Sequence, residues 1–320
     1  MNAVRLDGLD GGSAPGVLAS LGVLDVLTTM ERPAKLAWER HGRWRPVLHG
    51  VQDVDAIANA VLKDAKALTA SQALPTAYPK IEEKGPRMHR GLEPPRAVWR
   101  ASLRSALGEA VNLALWAGLC AEAPAALLDP KRRPTVAQCE PLKVSDDAAL
   151  LDAKASPTFF DFTARREAFL DQVASLRASL DAEGIKEALT VGGPSPKPGK
   201  TLRWDDAAEA PGAIFPVKET RLHPVREWLV FRALALLPVL PGCRAQTTGC
   251  RGERKNGRFV WPLWSAPIDR RTVRSLLGYP ALEKLDSAER TRMGLVAVFS
   301  AELTKGADGK GGVFAPTTPC

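Results

Sequence analysis

The side chains best suited to chemistry lie in one segment of the second half of the chain. Residues 243–264 read CRAQTTGCRGERKNGRFVWPLW. Two strand-like runs, residues 243–249 and 257–264, flank a turn in which Asn256-Gly257 is a strong hairpin signal. The residues of this segment that can donate hydrogen bonds or carry positive charge are Arg244, Gln246, Thr247, Thr248, Arg251, Arg254, Lys255, Asn256 and Arg258. The segment therefore predicts a β-hairpin with a basic tip rich in donors.

Such a hairpin suits contact with nucleic acid. A two-stranded ribbon fits a DNA groove, where arginine reads guanine and an amide side chain reads adenine. Arginine also binds phosphate in a planar, bidentate manner. The alternative interpretation is an ordinary solvated turn.

A second basic feature is predicted on a helix over residues 95–120. Arg96, Arg100 and Arg104 are spaced by four and therefore share one helix face. The opposite face carries Trp99 and Leu103. The ridge could follow a phosphate backbone, or it could be an ordinary solvated helix face.

No group of residues in the sequence has the types and spacing typical of a catalytic site, a metal site or a cofactor site. The four histidines are far apart, and the five cysteines include no C-x-x-C pair. Nucleotide-binding and hydrolase motifs are also missing. We therefore expect a non-enzymatic protein with no cofactor and no metal site.

Composition indicates where the protein works and what it binds. The net charge of +8 favours an acidic partner. The odd, widely spaced cysteines are typical of reduced thiols in the cytoplasm. No apolar run is long enough for a membrane span, and the first residues lack the pattern of a signal peptide.

A glycine-rich loop, DGGSAPG, precedes an apolar helix near the start of the chain. Such a loop can hold phosphate, but the motif is not G-x-G-x-x-G and aspartates flank it. A tight strand-to-helix turn explains the glycines.

The surrounding pattern predicts an α+β fold with a mixed sheet and interspersed helices. Its elements include a helix over residues 16–29 that Ser13 could cap, two strands over residues 34–39 and 43–48 joined by a short turn, a long irregular loop over residues 71–95, and a helix over residues 270–277 with Asp269 as its N-cap. A helix that begins at Pro224 is apolar on most of its surface, so it must be buried. Two lobes, 1–145 and 146–320, are plausible, with the flexible segment 192–200 as the best candidate for a linker.

Several stretches together resemble a family of proteins encoded in type I-G (formerly I-U) CRISPR operons. The quoted stretches are LDGLDGGSAPGVLASLGVLDVL, AKLAWERHGRWRPVLHGV, FFDFTARREAFLDQVASLR and REWLVFRALALLPVLPG, followed by AQTTGCRG and RFVWPLWSAPIDRRTVRSLL. The resemblance implies a large or accessory subunit of the crRNA-guided surveillance complex, or an extension of the helicase-nuclease.

Three hypotheses follow from the sequence. The first is a non-catalytic subunit that binds target double-stranded DNA within the crRNA-containing complex, with the motif beside the protospacer as a candidate contact. The second is a protein-only adaptor that touches backbone subunits and recruits the helicase-nuclease. The third, a stand-alone enzyme, has no supporting constellation.

Overall fold

A computed structural model describes residues 2–30, 33–70, 78–82, 85–89, 91–94, 99–101, 103–104, 110–121, 155–163, 169–192, 202–204, 223–241, 245–254, 256–305 and 312–320. Helices and sheets are both present, so the predicted α+β class is confirmed. The described strands pair only in antiparallel fashion, whereas the sequence predicted a mixed sheet.

The helix α1, Ala14–Thr29, is buried from its first residue to Leu27. The predicted cap is present, because the Ser13 side chain accepts a hydrogen bond from the Gly16 amide at 3.2 Å, and the helix begins two residues before the predicted start at Gly16. Helix α6, Pro224–Ala233, packs along it and is buried except at Pro224 and Arg226, which are half-buried. A Cβ at Gly22 would lie 1.9 Å from the Leu229 carbonyl oxygen, so the two backbones approach very closely.

The first sheet contains β1 (Ala3–Arg5), β2 (Lys35–His41) and β3 (Arg43–His49), in the order β1-β3-β2. The predicted hairpin between β2 and β3 is present. It turns at Gly42, whose φ of +69° is natural for glycine. The tip of this hairpin, residues 39–43, is exposed.

The second sheet has the order β10-β11-β12-β13, and β14 also pairs with β12. Its strands are β10 (Cys250–Arg251), β11 (Arg258–Trp264), β12 (Leu295–Lys305), β13 (Gly312–Phe314) and β14 (Thr318–Pro319). Two tryptophans of β11 join this sheet to the first part of the chain. The Trp261 indole donates to the Gly11 carbonyl at 2.9 Å, and Trp264 donates to the Leu36 carbonyl at 2.6 Å.

The remaining elements surround this core. The helices are α2 (Val54–Ala70), α3 (Ala110–Leu119), α4 (Phe169–Ala178), α5 (Ala182–Thr190), α7 (Arg270–Leu277) and α8 (Ser287–Arg292), with 3-10 turns at Leu234–Leu236 and Leu282–Lys284. The short strands are β4 (Tyr78–Glu82), β5 (Gly85–His89), β6 (Cys120–Ala121), β7 (Ser156–Pro157), β8 (Val239–Leu240) and β9 (Gln246–Thr247).

Two sequence interpretations are wrong at the level of strands. Of the predicted hairpin arm, residues 243–249, positions 243 and 244 lie outside the described residues, and Gln246–Thr247 pairs with Val239–Leu240 instead of the other arm. Within the segment interpreted as an irregular loop, residues 71–95, β4 and β5 pair with each other. The proposed boundary at residues 145 and 146 lies outside the described residues.

Candidate nucleic-acid interface

The basic hairpin is formed by β10 and β11, with Cys250 opposite Phe259 and Arg251 opposite Arg258. Its turn passes through Gly252, whose φ is +81°. Asn256 is exposed at the tip, and its backbone amide donates to the Glu253 carbonyl at 3.0 Å. Arg244, Lys255 and Arg96 are candidate residues outside the described part of the chain.

Arg251 and Arg258 share a carboxylate, because Glu283 lies 3.7 Å from the first guanidinium and 3.4 Å from the second. Arg251 also donates from Nη2 to the Tyr279 carbonyl at 2.7 Å. This last bond ties the turn to the end of α7. Arg258 keeps an exposed side chain.

Arg254 points towards a different part of the chain. Its guanidinium lies 3.1 Å from the Asp161 carboxylate and 3.6 Å from Glu93. Burial raises the pKa of Asp161, and the charge of Arg254 opposes that rise. Arg254 is therefore held as the partner of a buried carboxyl group, which reduces its availability to phosphate.

The polar residues that were candidates for reading bases face inward. Thr247 is buried, and its Oγ1 accepts from the Phe159 amide at 2.8 Å. Thr248 donates from its hydroxyl to the Pro238 carbonyl at 2.9 Å. The Gln246 side chain donates to the Cys250 carbonyl at 2.7 Å. These hydrogen bonds join β8, β9 and the turn at residue 158. The polar groups of the three side chains are therefore already used inside the protein and are not available to bases.

The predicted arginine ridge is only partly described. Residues 99–101 and 103–104 are helical, with Trp99 buried against Trp116 at a centroid distance of 4.9 Å. Arg104 is exposed, whereas Arg100 is half-buried and has an interaction partner.

Helix α7 adds positive charge beside the hairpin. Asp269 caps its start by accepting from the Thr272 amide at 2.8 Å, as the sequence predicted. Arg271 and Arg274 are exposed one turn apart, and neither forms an ion pair in the described part of the chain. We use the term C-terminal basic surface for Arg251, Arg258, Arg271, Arg274 and Lys284.

A buried ionic cluster was missed by the sequence interpretation. Arg232 on α6 is fully buried and lies 3.0 Å from Asp25 on α1 and 2.9 Å from Asp64 on α2. Arg270, at the start of α7, donates to the other Asp25 oxygen at 2.6 Å. Two aspartates thus meet two arginines, so the cluster is neutral and its role is structural. The detectable signal was a charge inside each of two apolar helices, at Asp25 and Arg232.

A cavity of about 260 Å³ at the start of α1 was also missed. Arg43, Arg45 and Arg226 line it, together with Asp7 and Asp10 of the β1–α1 loop. The glycine-rich loop that the sequence favoured as a plain turn therefore forms one wall of a cavity with three arginines. Arg226 is distant in sequence, which is why no local pattern indicated this site.

The described part of the chain contains no cluster of three or more side chains that could hold a metal ion. Among those same residues, none of the helices has both the length and the apolar character that crossing a membrane requires. The described cysteines Cys120, Cys250 and Cys320 are free thiols, and burial raises the pKa of Cys120 and Cys250.

Comparison with known proteins found no protein-family model that matches this chain and no curated protein with a significant match.

Proposed function

We propose that this protein is a non-catalytic subunit of a type I-G CRISPR effector that binds the phosphate backbone of target DNA through its C-terminal basic surface. The family resemblance supports the assignment to an effector. The observation that carries the DNA contact is the 2.7 Å hydrogen bond from Arg251 to the Tyr279 carbonyl, which ties the basic hairpin to the segment that directly follows α7, the helix of Arg271 and Arg274.

The charge balance of this surface favours an anionic partner. Its five cations are accompanied by Glu283, which pairs with Arg251 and Arg258, and by Asp269, whose pKa is lowered by hydrogen bonds from Thr272 and, less, by the charge of Arg271. Within the described part of the chain, no hydrogen bond or ion pair uses the guanidinium donors of Arg271 or Arg274. Exposed guanidinium groups without protein partners are suited to bidentate contact with phosphate.

The proposed contact is with backbones and not with base edges. Gln246, Thr247 and Thr248 use their polar groups inside the fold. Contact with the DNA backbone but not with base edges is consistent with an RNA-guided complex. In such a complex, base pairing with the RNA recognises the target sequence, and the protein binds the nucleic-acid backbones. Docking on the other effector subunits and on the crRNA-containing complex is part of the same proposal, as is a cytoplasmic location.

The salt dependence of duplex binding tests the proposal. Fluorescence anisotropy of the purified chain with a labelled duplex would be measured between about 50 and about 200 mM salt. We expect the logarithm of the binding constant to fall linearly with the logarithm of the salt concentration, because phosphate contacts release counterions. Absence of binding at the lowest salt concentration would contradict the proposal.

One observation favours the second candidate, a protein-only adaptor. Arg251, Arg254 and Arg258 already face carboxylates of this chain, an arrangement that also suits a protein interface with mixed charge. Co-expression with effector backbone subunits and the helicase-nuclease distinguishes the two functions. An adaptor would co-purify with these subunits and leave DNA binding of the complex unchanged when Arg271 and Arg274 are replaced by alanine.

A further inference from the structure

The cavity at the start of α1 is built from four separate parts of the chain. The β1–α1 loop contributes Asp7 and Asp10, and the start of β3 contributes Arg43 and Arg45. Arg226 comes from the first turn of α6 and Val191 from the residue after α5. Its volume of about 260 Å³ approaches the lower end of ligand pockets, about 300 Å³. It has room for a phosphorylated sugar but little more.

The three arginines bring more hydrogen-bond donors to the cavity than the protein uses. Arg45 donates from Nη1 to the Leu9 carbonyl at 2.9 Å, and Arg226 donates from Nη2 to the Gly8 carbonyl at 3.1 Å. The Nε atom of Arg226 is buried without a hydrogen-bond partner. The Arg43 side chain is exposed and has no partner among the described residues. Each guanidinium has five N–H donors, so most of them remain available to a ligand.

The two aspartates do not cancel this positive charge. Asp7 is held by Arg5 in a bidentate pair, at 2.7 Å and 3.2 Å. Asp10 accepts the Gly12 amide at Oδ1, at 2.9 Å. Its other oxygen can accept from a hydroxyl group of a ligand. The cavity therefore combines an excess of cationic donors with one acidic acceptor.

We propose that this cavity binds a phosphate group attached to a sugar, carried either by a free nucleotide or by the end of a nucleic-acid strand. The guanidinium groups of Arg43, Arg45 and Arg226 hold the phosphate, and Asp10 accepts from a sugar hydroxyl. The start of α1 contributes little, because Ser13 already caps it through the Gly16 amide. This site is separate from the C-terminal basic surface and does not depend on duplex binding there.

Arg45 and Arg226 have a second role, because each bonds a carbonyl of the β1–α1 loop and stabilises its shape. Arg43 has no such role, and its side chain has no described partner. Replacing Arg43 by alanine therefore tests phosphate binding without removing a contact of the fold. Arg292→Ala is the matched control, since it removes one exposed arginine from the end of α8, outside both the cavity and the C-terminal basic surface.

Titration calorimetry of the full chain would use adenosine monophosphate, adenosine, inorganic phosphate, and a short RNA with and without a 5′-phosphate. We expect adenosine monophosphate to bind and Arg43→Ala to weaken it at least about ten-fold, as for loss of a hydrogen bond to a charged group. Arg292→Ala should leave that affinity unchanged. Arg226→Lys, which keeps the charge but loses the forked geometry, should also weaken binding.

The oligonucleotides identify the source of the phosphate. Tighter binding of the 5′-phosphorylated RNA than of adenosine monophosphate would support a strand end, and the reverse order would support a free nucleotide. Equal affinity for adenosine and its monophosphate, equal effects of Arg43→Ala and Arg292→Ala, or absence of binding by all phosphorylated probes would each overturn the proposal. Loss of duplex binding in Arg271→Ala with intact nucleotide binding would separate this site from the proposed DNA surface.

Discussion

At the scale of single residues, the most consequential charges are those removed from water. Arg232 and Asp25 are fully buried, and Asp64 is nearly so. Burial raises the pKa of Asp64, with the charge of Arg232 opposing the rise. Removing one member of such a cluster leaves a buried charge without its counter-charge, which costs more than the pair itself contributes.

We expect Arg232→Ala to lower the free energy of unfolding by about 3–5 kcal/mol, because Asp25 and Asp64 would lose their shared partner. Arg270→Ala should cost less, since Arg270 is partly exposed and Asp25 keeps Arg232. Urea denaturation of both variants measures the difference. An equal effect of the two substitutions would show that Arg232 is not the centre of the cluster.

His223 gives a second prediction, on pH dependence. Burial, and to a lesser extent the charge of Arg226, lower the pKa of His223 from 6.5 to about 4. Between these values the unfolded chain takes up a proton that the native chain does not, so stability falls as pH decreases. The maximum loss corresponds to about 3 kcal/mol.

Thermal denaturation at about pH 7 and about pH 5 tests this effect, with His223→Gln as the control that cannot titrate. We expect the melting temperature of the natural chain to fall more over this range than that of the variant. Asp64 and Asp161 titrate in both proteins and cancel in the comparison. Parallel changes in the two proteins would show that His223 is protonated in the native state.

At the scale of elements, contact between α1 and α6 organises the fold. The Gly22→Ala variant should lose about 3 kcal/mol or more, because its Cβ would lie 1.9 Å from the Leu229 carbonyl oxygen. Gly278→Ala is the control, since its Cβ would meet nothing nearer than 3.5 Å. That variant should stay within about 0.5 kcal/mol of the natural chain in denaturant unfolding. Similar stability of the two variants would contradict the close approach of the helices.

The sequence predicted those elements that carry strong local signals. Pro224 and the apolar run after it located α6, Asp269 located α7, and Ser13 located the start of α1. The pairing of residues 246–247 was not predictable, because a strand of two residues has no periodicity and its partner is chosen by contacts with residues 158–159.

At the scale of the whole molecule, carboxylates that are distant in sequence lower the net positive charge of the basic hairpin. Sequence inspection counted the charges of the turn but could not place Glu283 or Asp161 beside them. The sequence therefore shows the charges of the turn but not the carboxylates that accompany them, and the contact with DNA stays a prediction. Likewise, residues 43 and 226 line one cavity only because the fold brings the start of β3 and the first turn of α6 to it.

The two basic sites lie towards different ends of α1. The cavity is at Ser13, and α7 contacts Asp25, twelve residues further along the helix, or about 18 Å. Each can therefore be altered without touching the other. The proposed DNA contact depends on the site at α7, where Arg271 and Arg274 form no ion pair with any described residue.

The most direct measurement compares duplex binding by two double variants of equal charge. Arg271→Ala/Arg274→Ala removes two arginines from α7, and Lys63→Ala/Lys66→Ala removes two exposed lysines, also three residues apart, from α2. We expect the arginine variant to bind more weakly and its salt slope to decrease by about 2, as for two lost phosphate contacts. The lysine variant should retain the natural slope. Equal slopes in both variants would mean that DNA responds only to net charge, and would contradict a specific C-terminal basic surface.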